Sequence, residues 1–461
     1  MLDERKTVLV VSTVASFLTP FMASSVNIAL PLIGLEFSLD AISLSWVATS
    51  YILAAAMFLV PFGRLADIYG RKRIFIYGLI GYAFISFLCG LAPSGVMLIV
   101  FRMLHGIFAA MIFGTGAAIL TSVYPASERG RVLGINVAAV YVGLSIGPFV
   151  GGLLTDHFGW RSVFVVNGAL GLCIVLLVVW KLKSEWAEAQ GERFDLVGSV
   201  LYGLSLPLMM YGFSKLPGVI GFSTVLLGLL GLIAFVLWEF KATKPLLDMN
   251  LFRHNAVFTF SNLAALINYS ATSAVTFLLS LYLQYIKGLN PQTAGIVLIA
   301  QPVMMAIFSP LAGQLSDRIE PRIVASSGMG FIIIGLVLFA SMGSDAPLAM
   351  IVLNLVFLGF GFALFSSPNT NAVMSSVEKR SYGIASATLG TMRLTGQMFS
   401  MGIVMLIFAL TIGQVKITPE YYPGFLTSMR LAFSIFAALC VIGIFASLAR
   451  GRVRSEGRGI R

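Results

Sequence analysis

The chain is a succession of long apolar runs broken by short polar segments. A helix needs about 20 apolar residues to cross the hydrocarbon core of a bilayer. Fourteen runs meet that length, at 8–33, 45–65, 74–92, 96–122, 132–154, 162–180, 196–214, 222–239, 256–284, 293–313, 323–342, 348–373, 384–411 and 427–449. The pattern predicts an all-α membrane protein whose loops are too short for an extramembrane domain. The first run, from Val8 to Ile33, outlasts the apolar core of about 7–15 residues found in a secretory leader. It reads as an uncleaved first span.

Composition agrees with this picture. The 461 residues are 58% hydrophobic and 11% charged, where soluble domains carry about 25% charge. Net charge is +11, which in a soluble chain would suggest nucleic acid. Here the cations sit in the short segments between runs and form no basic stripe, so no nucleic-acid partner is expected. Cys89, Cys173 and Cys440 all lie within apolar runs and read as packing residues.

The charge distribution also orients the chain. With the N-terminus inside, alternate segments hold Arg5, Lys6, Arg64, Arg71, Lys72, Arg73, Arg129, Arg131, Lys181, Lys183, Arg193, Lys241, Lys244, Arg253, Arg318, Arg322, Lys379, Arg380, Arg450, Arg452, Arg454, Arg458 and Arg461. The opposite face keeps Arg161, Lys215, Lys287, Lys416 and Arg430. Cytoplasmic loops are enriched in Lys and Arg, so an even span count with both termini inside follows. One missed span would invert half of the loops.

An internal repeat divides the chain. Gly63-Arg64-Leu65-Ala66-Asp67 follows the second run, and Gly313-Gln314-Leu315-Ser316-Asp317 follows the tenth. Gly130 to Gly143 and Gly383 to Gly396 match more weakly at nearly the same offset. The expected organisation is a six-helix bundle over 1–194, two inserted spans over 195–250, and a second six-helix bundle over 251–461. Repeated helical halves around a central pathway are a common transporter plan.

Gly63 to Arg73, Arg102 to Gly106 and Gly143 to Gly152, with Asn27 to Pro31 and Trp160 to Asn167, form a set of motifs in order on successive spans, and this set resembles the major facilitator superfamily, most closely its fourteen-spanning drug:proton antiporter branch. Gly63 to Arg73 resembles the signature loop between helices two and three. Arg102-Met103-Leu104-His105-Gly106 resembles the arginine motif of helix four, and Gly143 to Gly152 the antiporter motif of helix five. Asn27-Ile28-Ala29-Leu30-Pro31 resembles the end of the helix-one motif, and Trp160-Arg161 through Asn167 the entry to helix six. The chain departs from those patterns at Met22, where Asp is usual, at His105, where Gln is usual, and at Ile68, where Arg is usual. The resemblance implies a two-bundle facilitator fold and secondary active export of small amphipathic compounds by alternating access, coupled to the proton gradient. Spans one, two, four, five, nine, ten, twelve and thirteen are expected around the pathway.

Particular residues carry the expected chemistry. Gly63, Asp67, Gly70 and Arg71, with Asp317 as the repeat counterpart of Asp67, form a candidate conformational latch: Asp67 can pair with Arg71 or meet a helix N-terminus of the other bundle. Gly143, Gly147 and Gly151 share one helix face, and with Pro148 and Gly152 they make span five a candidate gate helix that packs closely and bends. Arg102 and His105 are three apart on one face. Arg102 either lines a cavity or snorkels outward, and His105 is either a titrating group or a packing residue. Arg393 lies near mid-membrane, where a cation is costly, with Gln397 one turn on. Together with Met22, Asn27, Asn268, Tyr269, Gln301 and Asn369, these are the candidate substrate and cavity residues.

The acids supply a counterweight. All 19 carboxylates fall in loops, tails or span ends. A cation:proton antiporter ordinarily holds one in mid-membrane. The alternative reading is therefore a facilitator for an anionic or neutral solute without carboxylate-based antiport, or with a proton site at His105 or Asp156. A non-transporting membrane sensor is the second class. No phosphate-binding loop occurs, and His105, His157 and His254 lie on separate segments, so neither an enzyme, a cofactor nor a metal site is expected. The expected partners are a small-molecule substrate and the lipid bilayer, for a monomer in the cell membrane.

Overall fold

The computed structural model describes residues 2–125, 128–247, 249–378 and 382–451. Among them fourteen helices are long and apolar enough to cross a membrane. Spans one to six are Glu4–Glu36, Ala41–Tyr69, Arg71–Gly90, Gly95–Val123, Arg131–Phe158 and Arg161–Lys181. Spans seven and eight are Leu196–Lys215 and Val219–Glu239. Spans nine to fourteen are Ala256–Ile286, Pro291–Arg318, Pro321–Ala340, Leu348–Ser375, Tyr382–Thr411 and Pro419–Ala449. Each matches one of the fourteen apolar runs; the runs 74–92 and 323–342 overshoot their spans by two residues. Of the inside cations, Lys379, Arg380, Arg452, Arg454, Arg458 and Arg461 lie outside the described residues.

Polar residues mark where helices begin. Asp40, Ser94, Asp195, Asn255 and Asn290 each accept a hydrogen bond from the backbone N–H three residues on. These caps satisfy donors that no helical carbonyl can reach. They fix the span ends at the membrane surface, where the apolar runs alone leave them loose.

The repeat seen in the sequence is a repeat of packing. On span five, a side chain at Gly143 would stand 2.5 Å from the Phe17 carbonyl of span one, and one at Gly151 would stand 2.7 Å from Ser25. On span thirteen, a side chain at Gly396 would stand 2.6 Å from the Leu266 carbonyl of span nine. Span one thus lies on span five as span nine lies on span thirteen. In lipid such close backbone approach replaces the hydrophobic driving force between helices. Ser24 and Ser25 of span one add hydroxyl bonds to the carbonyls of Gly143 (3.4 Å) and Gly147 (2.9 Å).

The inserted pair does not stand apart. Span seven packs along span eight and also against spans two and thirteen. Its Tyr202 hydroxyl donates to the Ala56 carbonyl of span two (3.1 Å) and lies 3.3 Å from the Thr395 hydroxyl of span thirteen. Span seven therefore covers one seam between the two halves.

Two spans that read as continuous runs are broken. Span nine turns at Ser273–Ala274 and ends in a π-helical stretch, Tyr282–Ile286. The Ala274 N–H leaves the helical ladder for the Ser400 hydroxyl of span thirteen, 3.0 Å away. No proline or glycine marks that site, so the break comes from a neighbouring helix. Span ten breaks at Ile299, three residues before Pro302, where a proline cannot continue the hydrogen-bond ladder.

The glycine stripe makes a direct prediction. Gly147→Leu would drive a branched side chain into Ser24 and should cost about 1–3 kcal/mol or more by overpacking. A Cβ added at Gly134 would have no atom within 4 Å, so Gly134→Ala should be neutral or stabilising by up to about 1 kcal/mol. Thermal unfolding of the purified variants in detergent separates the two.

Candidate functional site

The groups that bring the two halves together at mid-depth lie around Arg393. This arginine stands on span thirteen, eleven residues beyond Tyr382, or roughly 17 Å along the helix at about 1.5 Å per residue. That is about half of a hydrocarbon core roughly 30 Å thick. Its guanidinium lies 5.2 Å from the ring centre of Tyr269 on span nine. The Tyr269 hydroxyl is 3.4 Å from the Ser366 hydroxyl of span twelve. Ser366 also bonds Tyr141 of span five at 2.5 Å. Tyr141 belongs to the first half and the other three to the second, so the cluster bridges the halves. Phe362 packs edge-on against Tyr269, with ring centres 5.6 Å apart. Arg393 is partly accessible, while its Nε is buried without a hydrogen-bond partner. No ion pair to Arg393 is found among the described residues.

The other cavity candidates divide. Asn27 and Gln397 are partly exposed, and Gln301 is nearly buried at the break of span ten. Met22, Arg102, His105, Asn268 and Asn369 are closed inside the bundles in this conformation. Arg102 neither snorkels nor faces open space. It is 1% exposed, donates from Nε to the Val47 carbonyl at 3.1 Å, and stacks 4.3 Å from the Tyr51 ring. His105 lies 4.0 Å from the Tyr82 ring centre, and neither of its nitrogens has a partner. Asn369 is taken up by structure: it donates to the Ser261 carbonyl and accepts from Arg450. Asn268 is buried with both amide atoms unpaired. Sequence reasoning missed Tyr141, Ser366 and the burial of Arg450. Hydroxyls are common in spans, and nothing local tells one that bridges two halves from one bonded to its own helix.

The outer ends of the halves are in contact. A side chain at Gly152 would stand 2.5 Å from the Pro291 carbonyl at the start of span ten, and one at Gly295 would strike the Pro148 carbonyl. Span five therefore packs on two sides: its Gly143–Gly151 stripe against its own half and its Pro148–Gly152 turn against the other. Nearby, Ser280 donates to the Asn27 carbonyl (2.7 Å), Gln284 to the Ile28 carbonyl (3.0 Å) and Asn290 to Asp156 (3.1 Å). On the inner side, Gly134 and Gly383 face open space.

This arrangement has counterparts. The family model described as Major Facilitator Superfamily matches residues 13–259 and 261–460. The chain belongs to the major facilitator superfamily. It is 29% identical over 444 residues to the riboflavin transporter RibZ of Clostridioides difficile (strain 630), covering 96% of each chain. It is 30% identical over 390 residues to the multidrug resistance protein Stp of Mycobacterium tuberculosis (strain CDC 1551 / Oshkosh), covering 83% of this chain and 72% of that one. Among solved structures, a bacterial homolog of the human lysosomal transporter Spinster, inward-facing and unoccupied, matches with a TM-score of 0.70 at 18% identity over 97% of both chains. This facilitator is a multi-pass membrane transporter and not an enzyme.

The signature loop of the facilitator is held by a segment the sequence did not single out. Asp67 pairs with Arg71 at 2.7 Å, within its own bundle and not with the neighbouring one. Arg71 also pairs with Glu188 at 2.7 Å and donates to the Ser122 hydroxyl. Gly70 has φ of +119°, and a side chain there would meet the Glu185 carboxylate. Glu185 instead accepts from the Lys72 and Arg73 backbone N–H groups at 2.8 and 3.2 Å, at the positive end of span three. Glu192 pairs with Arg64 and Lys244, and hydrogen bonds from Lys244 and then Arg64 hold its carboxyl below the usual range. A signal did exist: Glu185, Glu188 and Glu192 lie on the same face as the most basic loop of the chain. In the second half, Asp317 accepts from Asn371 at 3.0 Å. At Gly63, in the same loop as Asp67, an added Cβ would stand 4.0 Å from the Gly114 carbonyl of span four.

The outer contact and the inner loop can each be tested. Gly152→Val should hold the outer ends apart. With the native cysteines replaced by serine, a cysteine placed at Ser280 should then label several-fold faster with a membrane-impermeant maleimide added from outside. Asp67→Asn leaves Arg71 with the more exposed Glu188 alone. It should slow transport a few-fold at unchanged membrane levels, as read from initial rates normalised to protein in the membrane.

Proposed function

We propose that this facilitator exports small amphipathic compounds from the cell by alternating access, as a monomer in the cell membrane. The halves 1–194 and 251–461 rock about the central cluster, and the pair within 195–250 rides on the seam between them. The observation that carries this reading is the bridge from Tyr141 to Ser366 beside Arg393. A bonding group shared by the two halves at mid-depth is where a solute is handed from one face to the other. The close outer contacts of Gly152 with Pro291 and of Gly295 with Pro148 support a site loaded from within. The relatives named for riboflavin transport and for multidrug resistance support small organic solutes.

Energy comes from an ion gradient, since the sequence holds no phosphate-binding loop for ATP. The proton gradient is the coupling that the family resemblance supports. A second reading is favoured by one observation: the groups around Arg393 include no carboxylate for substrate and proton to share. On that reading the solute is anionic or neutral and any proton passes elsewhere.

Proteoliposomes loaded with a panel of amphipathic dyes test the proposal. Flux should depend on the protein and should become concentrative when a pH gradient is imposed. Saturable binding with no flux in either direction would replace the transporter by a sensor.

A further inference from the structure

We infer that the central site is built for an organic anion, with the acid group of the solute seated on Arg393. This rests on the transport reading above and adds the sign of the charge that the pathway accepts.

Besides Arg71 of the inner loop, three arginines among the described residues are buried or largely enclosed, and their settings differ. Arg102 is sealed: its Nε is bonded to a carbonyl and its guanidinium is stacked on Tyr51. Arg450, just past the end of span fourteen, is fully buried and bonded to the Ser447 carbonyl and hydroxyl, the Ser261 hydroxyl and the Asn369 amide oxygen. Burial and nearby Arg322 push it down to about 10. Arg450 is used up by structure. Arg102 is closed to any solute, although one of its terminal nitrogens has no partner. Arg393 is more open. It is partly accessible, its Nε has no partner, and its nearest aromatic ring is 5.2 Å away.

A cation at mid-membrane depth is costly unless something neutral or negative meets it. No acid of this chain does so among the described residues. The groups beside Arg393 are instead the hydroxyls of Tyr269, Ser366 and Tyr141. Hydroxyls can turn their hydrogens toward an acceptor. A guanidinium with convergent hydroxyls is a receptacle for a carboxylate or a similar acid, and the planar fork can hold it through two bonds. The Tyr269–Phe362 ring pair supplies an apolar wall for the rest of the solute. A cationic solute would meet the unneutralised guanidinium with nothing to offset it.

The seat also spans the halves. Tyr141 is tied directly to Ser366. An acid group that takes hydroxyl hydrogens from both would exchange a direct bond between the halves for one through the solute. Occupancy thereby reaches the contact on which the rocking motion turns.

The test uses the purified full-length protein in detergent and three probes of one shape: 1-naphthoate, 1-naphthamide and 1-naphthylmethylammonium, at pH 7. Naphthoate should bind about tenfold or more tighter than the amide, the scale expected of one charge-assisted pair, and the ammonium weakest. Arg393→Gln should reduce the naphthoate preference to about threefold or less, and Arg393→Lys should keep part of it. Gel-filtration profiles and unfolding temperatures report whether each variant is folded. Should Arg393→Gln fail to fold, Arg393→Lys and Tyr141→Phe carry the comparison, and the ranking by the wild-type protein still decides. Equal binding of the three probes, tighter binding of the ammonium, or a naphthoate preference that survives Arg393→Gln would each overturn the inference. Counterflow in proteoliposomes keeps the two readings apart. Arg393-dependent naphthoate binding without flux would sustain the anion site and remove transport. Flux of amphiphiles without preference for the acid would sustain transport and remove the anion site.

Discussion

Span five is the helix on which the rest of the structure depends, because it must touch backbone on two sides. Gly143, Gly147 and Gly151 bring it against span one, while Gly152 brings its outer end against the first turn of span ten. Inward of those contacts it carries Tyr141 to the centre, where the hydroxyl meets Ser366. In lipid, helices gain little by hiding apolar surface from other apolar surface, so close approach and polar bonds decide how they pack. A side chain added on either glycine face would move the helix away from one half or the other. The outer closure and the central bridge would shift with it.

The same constraint explains how the chain handles charge. Its ion pairs lie at the helix ends, where water and loops help to solvate them, as with Arg161 and Glu36 outside and the Arg71, Asp67 and Glu188 group inside. Inside the helical body the arginines find carbonyls, hydroxyls and rings. Arg450, just past span fourteen, is held by four such bonds, and Arg102 is sealed between the Val47 carbonyl and the Tyr51 ring. Arg393 is the one left partly accessible. At the inner end of span eight, Glu239 is buried beside Asp195 and takes one bond from the Leu247 N–H. It tethers the inserted helices to the segment after them, far from the pathway.

The inner face shows how a loop acquires order. The stretch after span six has little regular structure, yet three of its glutamates are engaged with the basic signature loop or the helix end it leads to. The Ala189 N–H donates to the Asp67 carbonyl, and the Arg71 N–H to the Trp186 carbonyl. The joint between spans two and three is thus held from outside the motif that defines it, and it belongs to the mechanics of the whole first half.

Much of this was legible in the residues alone. The number and order of spans, the placing of cations at their ends and the two-fold repeat follow from rules that act locally: apolar length against bilayer thickness, and the cost of charge in hydrocarbon. The glycine face of span five was legible too, because four-residue spacing fixes which side of a helix is bare. The partners of buried polar side chains were not legible. Arg102, Arg393 and Arg450 are one residue type in similar apolar surroundings, and only packing decided that the first is stacked on Tyr51, the third is tied to three spans, and the second is left open beside Tyr141 and Ser366. The break in span nine was hidden for the same reason, since Ser400, 126 residues further along the chain, draws the N–H away. Local sequence sets what a helix can present. Which neighbour meets it depends on how two long halves come together, and that is decided only in three dimensions.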